Sequence, residues 1–362
     1  MLPYIITFCI SIIATYNAQR CKSKNVKFYF HSFFVVLPLA ILVAVRDSNI
    51  GTDTVNYMYL FADAVYNNDS ILRYILLHPV FELGFLLYNF LVAQFVSSVE
   101  LYYLITYGII IGVTYVGAIK LKDYIKPHIF MTVYLLLFFS DSLNIMRQYI
   151  ALTFIILALS NLLTKKYFRY LFWTFFACLF HTSAIISITI GVVYWITRKY
   201  SFQNHKFLYV VVLIVAFIVS ISIGYFANMG LFPIFEDKLA SHMDSSNGSG
   251  VSNSYIVVCL STLICLYACR IKTPEFSMML MMVCFTMIFY LSPAMNAVLY
   301  RLTIYFNILM CISVAYIYKN TSPRCLSYVR LLLGLYLVFY IFSIVISGTG
   351  EVIPYSSELL GI

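Results

Sequence analysis

Residues 28–57 read "FYFHSFFVVLPLAILVAVRDSNIGTDTVNY". The first part, Phe28 to Val45, carries no Asp, Glu, Lys or Arg. As a helix it measures roughly 27 Å, close to the thickness of a bilayer's hydrocarbon core. It stops at Arg46 and Asp47, passes through a Gly-containing turn with Asp53 and Thr54, and enters an aromatic run that begins at Tyr57. A plain connector needs only a few polar atoms. The charged turn therefore raises the question of which side of the membrane it faces and what else gathers there.

Apolar runs of similar length recur from end to end. The 362 residues are 62% hydrophobic and 10% charged, with a mean hydropathy of +0.92. A soluble domain of this size cannot hide so much apolar surface. The alternating ten-residue segments of an outer-membrane barrel are missing. The expected fold is all-α: a polytopic transmembrane helical bundle of about 12–14 membrane segments, with residues 1–362 forming one membrane domain. Met1 to Asn17 lacks a basic n-region and reads as a retained first helix.

The net charge of +9 follows from topology. Eighteen of the 23 Lys and Arg lie in "QRCKSKNVK", "KLKDYIK", "TKKYFR", "TRKYSFQNHK", "CRIK" and "KNTSPRCLSYVR". The positive-inside rule makes these loops cytoplasmic, so nucleic-acid binding is not needed to explain the charge. The nine cysteines fall in apolar runs or in those loops, which argues against a disulfide framework. Cys265 and Cys269 share a helix face, but no His or carboxylate stands nearby in sequence, so no metal site is expected.

Candidate helices run approximately 1–17, 28–45, 79–97, 101–119, 127–143, 149–164, 167–180, 182–197, 207–228, 255–269, 276–293, 302–318 and 330–348. Three of them separate "QRCKSKNVK" from "KLKDYIK", an odd number between two cytoplasmic loops. One is expected to be re-entrant or interfacial, and 79–97, with Glu82, Asn89 and Gln94, is the first choice. The external face then holds short loops and two longer ones, about 46–78 and 229–254.

Five cations stand apart from the cytoplasmic clusters: Arg46, Arg73, Arg147, Lys238 and Arg301. Arg46, Arg147 and Arg301 sit at or near the boundary of an apolar run, where a lone charge is expensive unless paired or serving a ligand. Arginine grips phosphate through a planar fork and keeps its charge. A boundary arginine also serves as an interfacial anchor, and that reading stays open for each one taken alone. Asp53, Glu82 and His181 belong to the same external face. His181 lies in "LFHTSAI", at the tip of an expected short hairpin, and reads as a packing residue or as a proton acceptor. No HExxH, GxSxG or P-loop spacing occurs.

The ordered set "RDSNIGTDTVNY", "HPVFELGF", "NIMRQYIA", "FHTSA", "YRLTIYF" and "EVIPY" resembles the Wzy-type polysaccharide polymerases, specifically their EpsG-like branch. The resemblance spans residues 46–355. It implies a bacterial inner-membrane glycosyltransferase whose external loops, about 46–78 and 229–254, are periplasmic. It also implies transfer of a growing glycan from undecaprenyl diphosphate to the non-reducing end of the next lipid-linked repeat unit. The implied partners are that lipid-linked oligosaccharide, the bilayer and a chain-length regulator; no cofactor, metal or nucleic acid is implied. In this frame Arg46, Arg147 and Arg301 bind the diphosphate, Thr54 positions hydroxyls, Tyr57 stacks on a pyranose face, and Arg73 and Gln148 are further substrate-binding candidates. His181, Asp53 and Glu82 are the candidate catalytic groups. An O-antigen ligase, a lipid-linked oligosaccharide flippase and a multi-pass acyltransferase are the competing readings.

Overall fold

The computed structural model describes residues 1–21, 24–67, 69–200, 204–228, 249–269, 271–292 and 297–362. These residues form sixteen α-helices and no strand. They divide into two compact units, one of residues 1–185 with 340–362 and one of residues 186–339.

The first unit opens with α1 (Leu2–Arg20) and α2 (Val26–Ala44). Then come α3 (Thr54–Tyr66), α4 (Ile71–Leu77), α5 (Leu83–Ala93) and α6 (Val99–Lys120). The helices α7 (Pro127–Leu137), α8 (Phe139–Ser142), α9 (Met146–Leu163) and α10 (Tyr167–Cys178) complete it. In this unit α1 packs on α2 and α7, α2 on α6, and α6 and α10 on α9. The helix α9 is buried along nearly its whole length and forms the unit's axis. Because lipid gives helices no hydrophobic reason to associate, polar bonds help fix the register. Thr114 and Thr153 share one such bond at 2.8 Å, and Thr153 donates to the Ile110 carbonyl at 2.9 Å.

The second unit holds α11 (Ile188–Lys199), α12 (Lys206–Asn228), α13 (Ser249–Cys269), α14 (Pro274–Tyr290) and α15 (Ala297–Asn320). The last helix, α16 (Pro323–Ile341), reaches the unit's boundary. Here α14 packs on α11, α12, α13 and α15. Tyr336 of α16 shares a hydroxyl bond with Thr262 of α13 at 2.6 Å, and Asn307 of α15 donates to Tyr290 of α14 at 2.8 Å.

Among the described residues seven helices are long and apolar enough to cross a membrane, in the ranges 2–20, 26–44, 99–120, 146–163, 206–226, 299–320 and 325–346. Four more apolar helices are shorter. Some expected spans are therefore broken: 127–143 splits into α7 and α8, and 79–97 shrinks to the eleven residues of α5. At about 16 Å of rise, α5 covers about half the thickness of a hydrocarbon core.

The stretch expected as an open loop at 46–78 is mostly helical. In α3, Tyr57, Leu60, Phe61 and Ala64 are buried at helical spacing, so an amphipathic helix lies against α5 and α6. Of the other long loop, 229–248 lies outside the described residues, while 249–254 belongs to α13. Lys238 falls in that outside stretch.

Candidate functional site

The apolar run of α2 ends at its C-cap, Val45, and the next residue, Arg46, is only 8% exposed. Its Nη2 donates to the Thr54 hydroxyl at 3.0 Å and to the Leu143 carbonyl at 3.5 Å. Its guanidinium carbon lies 5.1 Å from the Tyr103 ring centre and 6.0 Å from that of Tyr107. Nε and Nη1 are buried and have no hydrogen-bond partner among the described residues. No carboxylate pairs with Arg46 there either.

The turn between α2 and α3 delivers Thr54 to that guanidinium. Gly51 adopts φ +91°, which L side chains rarely take, and Thr54 N–H donates back to the Gly51 carbonyl at 3.3 Å. The Thr54 hydroxyl donates to the Ile50 carbonyl at 2.6 Å, leaving its lone pairs toward Arg46. Tyr103 of α6 ties the same residue down through the Thr54 carbonyl at 2.9 Å.

Arg147, on the first turn of α9, is 9% exposed. Its Nη1 forms a 2.6 Å ion pair with Glu82, the N-cap residue of α5. Phe81 and Phe85 flank the guanidinium carbon at 4.6 and 5.8 Å. Tyr57 lies against it as well. Burial pushes the Tyr57 phenol up, and the Arg147 charge and hydrogen bond oppose that rise. Thr54 serves Arg46 and Tyr57 serves Arg147, and the two stand three apart on α3. One helical turn therefore carries both guanidinium groups.

Glu82 is held in place from the other side by Gly84. The Gly84 N–H donates to the Leu179 carbonyl at 2.8 Å, and a Cβ on Gly84 would stand 2.6 Å from that oxygen. Leu179 caps α10 and is followed two residues later by His181, which is 6% exposed. The Ser183 N–H donates to His181 Nδ1 at 3.3 Å, and the Ser183 hydroxyl lies 2.6 Å from the same nitrogen. A backbone N–H only donates, so Nδ1 is an acceptor and the neutral ring carries its proton on Nε2. Asp53, half-exposed, stands at the N-cap position of α3 without a side-chain capping bond.

The structure thus gathers Arg46, Arg147, Glu82, Thr54 and Tyr57 about α3. Tyr57 is 6% exposed with its ring edge-on to Phe85 at 5.9 Å, so its face is not free to stack on a sugar. Gln148 is buried beside Arg147 on α9. Arg73 is exposed on α4, and Arg301 is partly exposed on α15 of the second unit.

Sequence reasoning quoted "NIMRQYIA" and "EVIPY" but assigned no role to Asn144 or to the segment 347–362. Asn144 Oδ1 accepts the Thr52 N–H at 2.7 Å. The C-terminal segment clasps the turn after α2. Asp47 N–H donates to the Ser356 carbonyl at 3.2 Å, Gly51 N–H to the Glu351 carbonyl at 3.1 Å, and Glu358 N–H to Asp47 Oδ1 at 2.9 Å. Tyr355 donates to the Leu42 carbonyl at 2.8 Å, and Tyr4 to the Val352 carbonyl at 3.0 Å. The Ser356 hydroxyl and the Glu358 N–H hold the Asp47 carboxyl below the usual carboxylate range. The only sequence signal for this clasp was the pair of motifs, "RDSNIGTDT" and "EVIPY", at opposite ends of one ordered set.

A protein family described as the EpsG family matches residues 29–357. No curated protein and no solved structure matches the chain.

Proposed function

The chain belongs to the EpsG family, and on that premise we propose that it is a glycosyltransferase of the polysaccharide-polymerase type. It acts at the periplasmic face of the bacterial inner membrane, on repeat units carried by undecaprenyl diphosphate. The glycan moves from that carrier to the non-reducing-end hydroxyl of the next lipid-linked unit, and a chain-length regulator is the expected protein partner. One observation carries the reading: Arg46 is buried at the end of an apolar helix with Nε and Nη1 unpartnered among the described residues. A buried cation without a counter-ion is costly, and an arriving phosphate removes that cost through a two-pronged hydrogen bond.

In the proposed reaction the acceptor oxygen attacks the anomeric carbon of the donor. A glycosidic bond forms as the bond from that carbon to the diphosphate oxygen breaks, and the electron pair leaves with the diphosphate. Arg46 stabilises the charge growing on the leaving oxygen, the electrostatic contribution that usually dominates such steps. Arg147, already neutralised by Glu82 at 2.6 Å, adds less charge and serves to hold the α3 turn.

The acceptor proton goes to Asp53, a half-exposed carboxylate at the N-terminal end of α3, next to Thr54. Glu82 is committed to Arg147. His181 presents an Nε2–H donor in its neutral form, which suits orienting the acceptor rather than taking its proton. The test is polymerisation by the purified full chain supplied with lipid-linked repeat units. Asp53→Asn is expected to lose about 10²–10⁴-fold in turnover, and His181→Ala much less. Normal turnover by Asp53→Asn would remove Asp53 from the role. Polymer formation equally fast with Arg46→Ala would overturn the reading as a whole.

A further inference from the structure

Asn144 occupies a point where three segments meet. On one side is the turn after α2: Asn144 Oδ1 accepts from the Thr52 N–H at 2.7 Å and from the Thr52 hydroxyl at 3.3 Å. On another is the C-terminal segment, where Gly350, at φ +78°, leaves the Asn144 Nδ2 the space that a Cβ would fill. The third is its own segment, where Asn144 N–H donates to the Asp141 carbonyl at 3.1 Å.

The neighbours of Asn144 reach both guanidinium groups. Leu143, one residue before it, offers its carbonyl to Arg46, and Arg147 stands three residues after it. Gly51 fits the same point: a Cβ there would stand 2.9 Å from Asn144 Oδ1, 2.9 Å from Thr54 Oγ1 and 3.2 Å from the Leu143 carbonyl. Both glycines are thus excluded from bearing a side chain by one amide. That amide bonds the turn bearing Arg46, sits on the segment bearing Arg147 and packs against Gly350 of the C-terminal clasp.

We propose that Asn144 is a positioning residue for the anion site, fixing the turn after α2 so that the Arg46 guanidinium meets a diphosphate at the correct distance and angle. This rests on the reading that Arg46 receives the diphosphate. Asn144 does not touch the ligand in this arrangement. It acts through Thr52, Thr54 and the Leu143 carbonyl, and displacement by even about 1 Å suffices to spoil a two-pronged contact.

The experiment measures binding of farnesyl diphosphate to the detergent-solubilised full chain, with farnesol as the uncharged control and thermal unfolding recorded on each variant. Arg46→Lys reports on the anion site itself and is expected to weaken binding. Asn144→Ala is expected to weaken it by roughly tenfold or more while the protein stays folded. Gly350→Ala pushes on Asn144 from the opposite side, in a surface segment, and is expected to reproduce the loss. Gly348→Ala imposes a comparable left-handed strain at φ +63° with nothing within 4 Å of its Cβ, so binding should stay at the wild-type value.

The double variant Asn144→Ala/Arg46→Lys should bind no worse than Arg46→Lys alone, because one residue acts through the other. Wild-type binding by Asn144→Ala, or losses that add in the double variant, would overturn the positioning role while leaving the anion site standing. Unchanged binding by Arg46→Lys would overturn the diphosphate reading and this inference together. If Asn144→Ala does not fold, the contrast between Gly350→Ala and Gly348→Ala decides: equal binding by the two rejects the proposal.

Discussion

Arg46 and Arg147 are buried to nearly the same degree, at 8% and 9% exposure, yet they are compensated in opposite ways. Arg147 is the second residue of α9, at the helix end where unpaired N–H groups present positive potential. A cation there is opposed by up to about 2 kcal/mol when partly buried. Glu82 supplies the missing negative charge at 2.6 Å. Arg46 stands just past the last turn of α2, where free carbonyls favour a cation, and it also leans on the Leu143 carbonyl. It is tolerated without a carboxylate. Burial alone therefore does not mark a ligand-binding cation; what marks it is whether the surrounding protein has already neutralised it.

The contrast can be broken most forcefully at Glu82. Glu82→Gln leaves Arg147 buried and unpaired, and a loss of about 3–5 kcal/mol in unfolding free energy is expected. Adding Arg147→Met should recover most of it, since removing both charges is far milder than removing one. Denaturant unfolding in detergent reads both, and wild-type stability in the single variant would erase the distinction between the two arginines. Arg46→Lys should behave in the reverse sense, with near-wild-type stability but polymerisation down by about 10²-fold, or 2.7 kcal/mol. Polymer made at the wild-type rate would return Arg46 to the class of interfacial anchors.

The next comparison is within α3. Thr54→Val removes the hydroxyl that orients Arg46 and is expected to weaken farnesyl diphosphate binding by roughly tenfold or a little more, the low end for a hydrogen bond to a charged group. Tyr57→Phe removes only a bond to the compensated Arg147, so stability should fall by about 1 kcal/mol with binding unchanged. Equal effects on binding would show that the two arginines share the ligand.

The smallest effect concerns pH. Asp47 has a lowered folded-state pKa, so its contribution is present above the ordinary carboxylate value of about 3.9 and is lost as pH falls through the lowered folded value. The protection of the amides of residues 355–358, measured against their intrinsic exchange rates, should thus be flat across neutral pH and fall only in acid. Asp47→Asn should abolish that acid step, and an unchanged profile in the variant would assign the step elsewhere.

Much of this molecule was legible in its sequence, and the illegible parts share a cause. Apolar runs and basic loops announced the helices, because hydropathy and charge act locally along the chain. The same reasoning found Arg46, Arg147 and Glu82, since charges in apolar surroundings are conspicuous. It read 46–78 as a loop, although Tyr57, Leu60, Phe61 and Ala64 repeat at helical spacing, because polar residues such as Asn56 and Asp63 interrupt the run. It left His181 as either a base or a group that orients the acceptor, and the contact that bears on the choice, the Ser183 N–H on Nδ1 at 3.3 Å, is set by the local turn and leaves no trace in composition. It quoted Asn144 as the first residue of "NIMRQYIA" but gave it no role. An asparagine's partners are backbone groups brought from remote parts of the chain, and no periodicity records them.

The clasp between the turn after α2 and the C-terminal segment joins residues 311 to 313 apart. A ribosome adding about 5–20 residues per second takes roughly 15–60 s to cover that distance. Through that interval Arg46 has already emerged while the segment that secures its turn does not yet exist. The proposed anion site is therefore assembled last, however early its central residue is made. A chain cut short by a premature stop codon would hold most of its helices and leave the turn after α2 without its clasp.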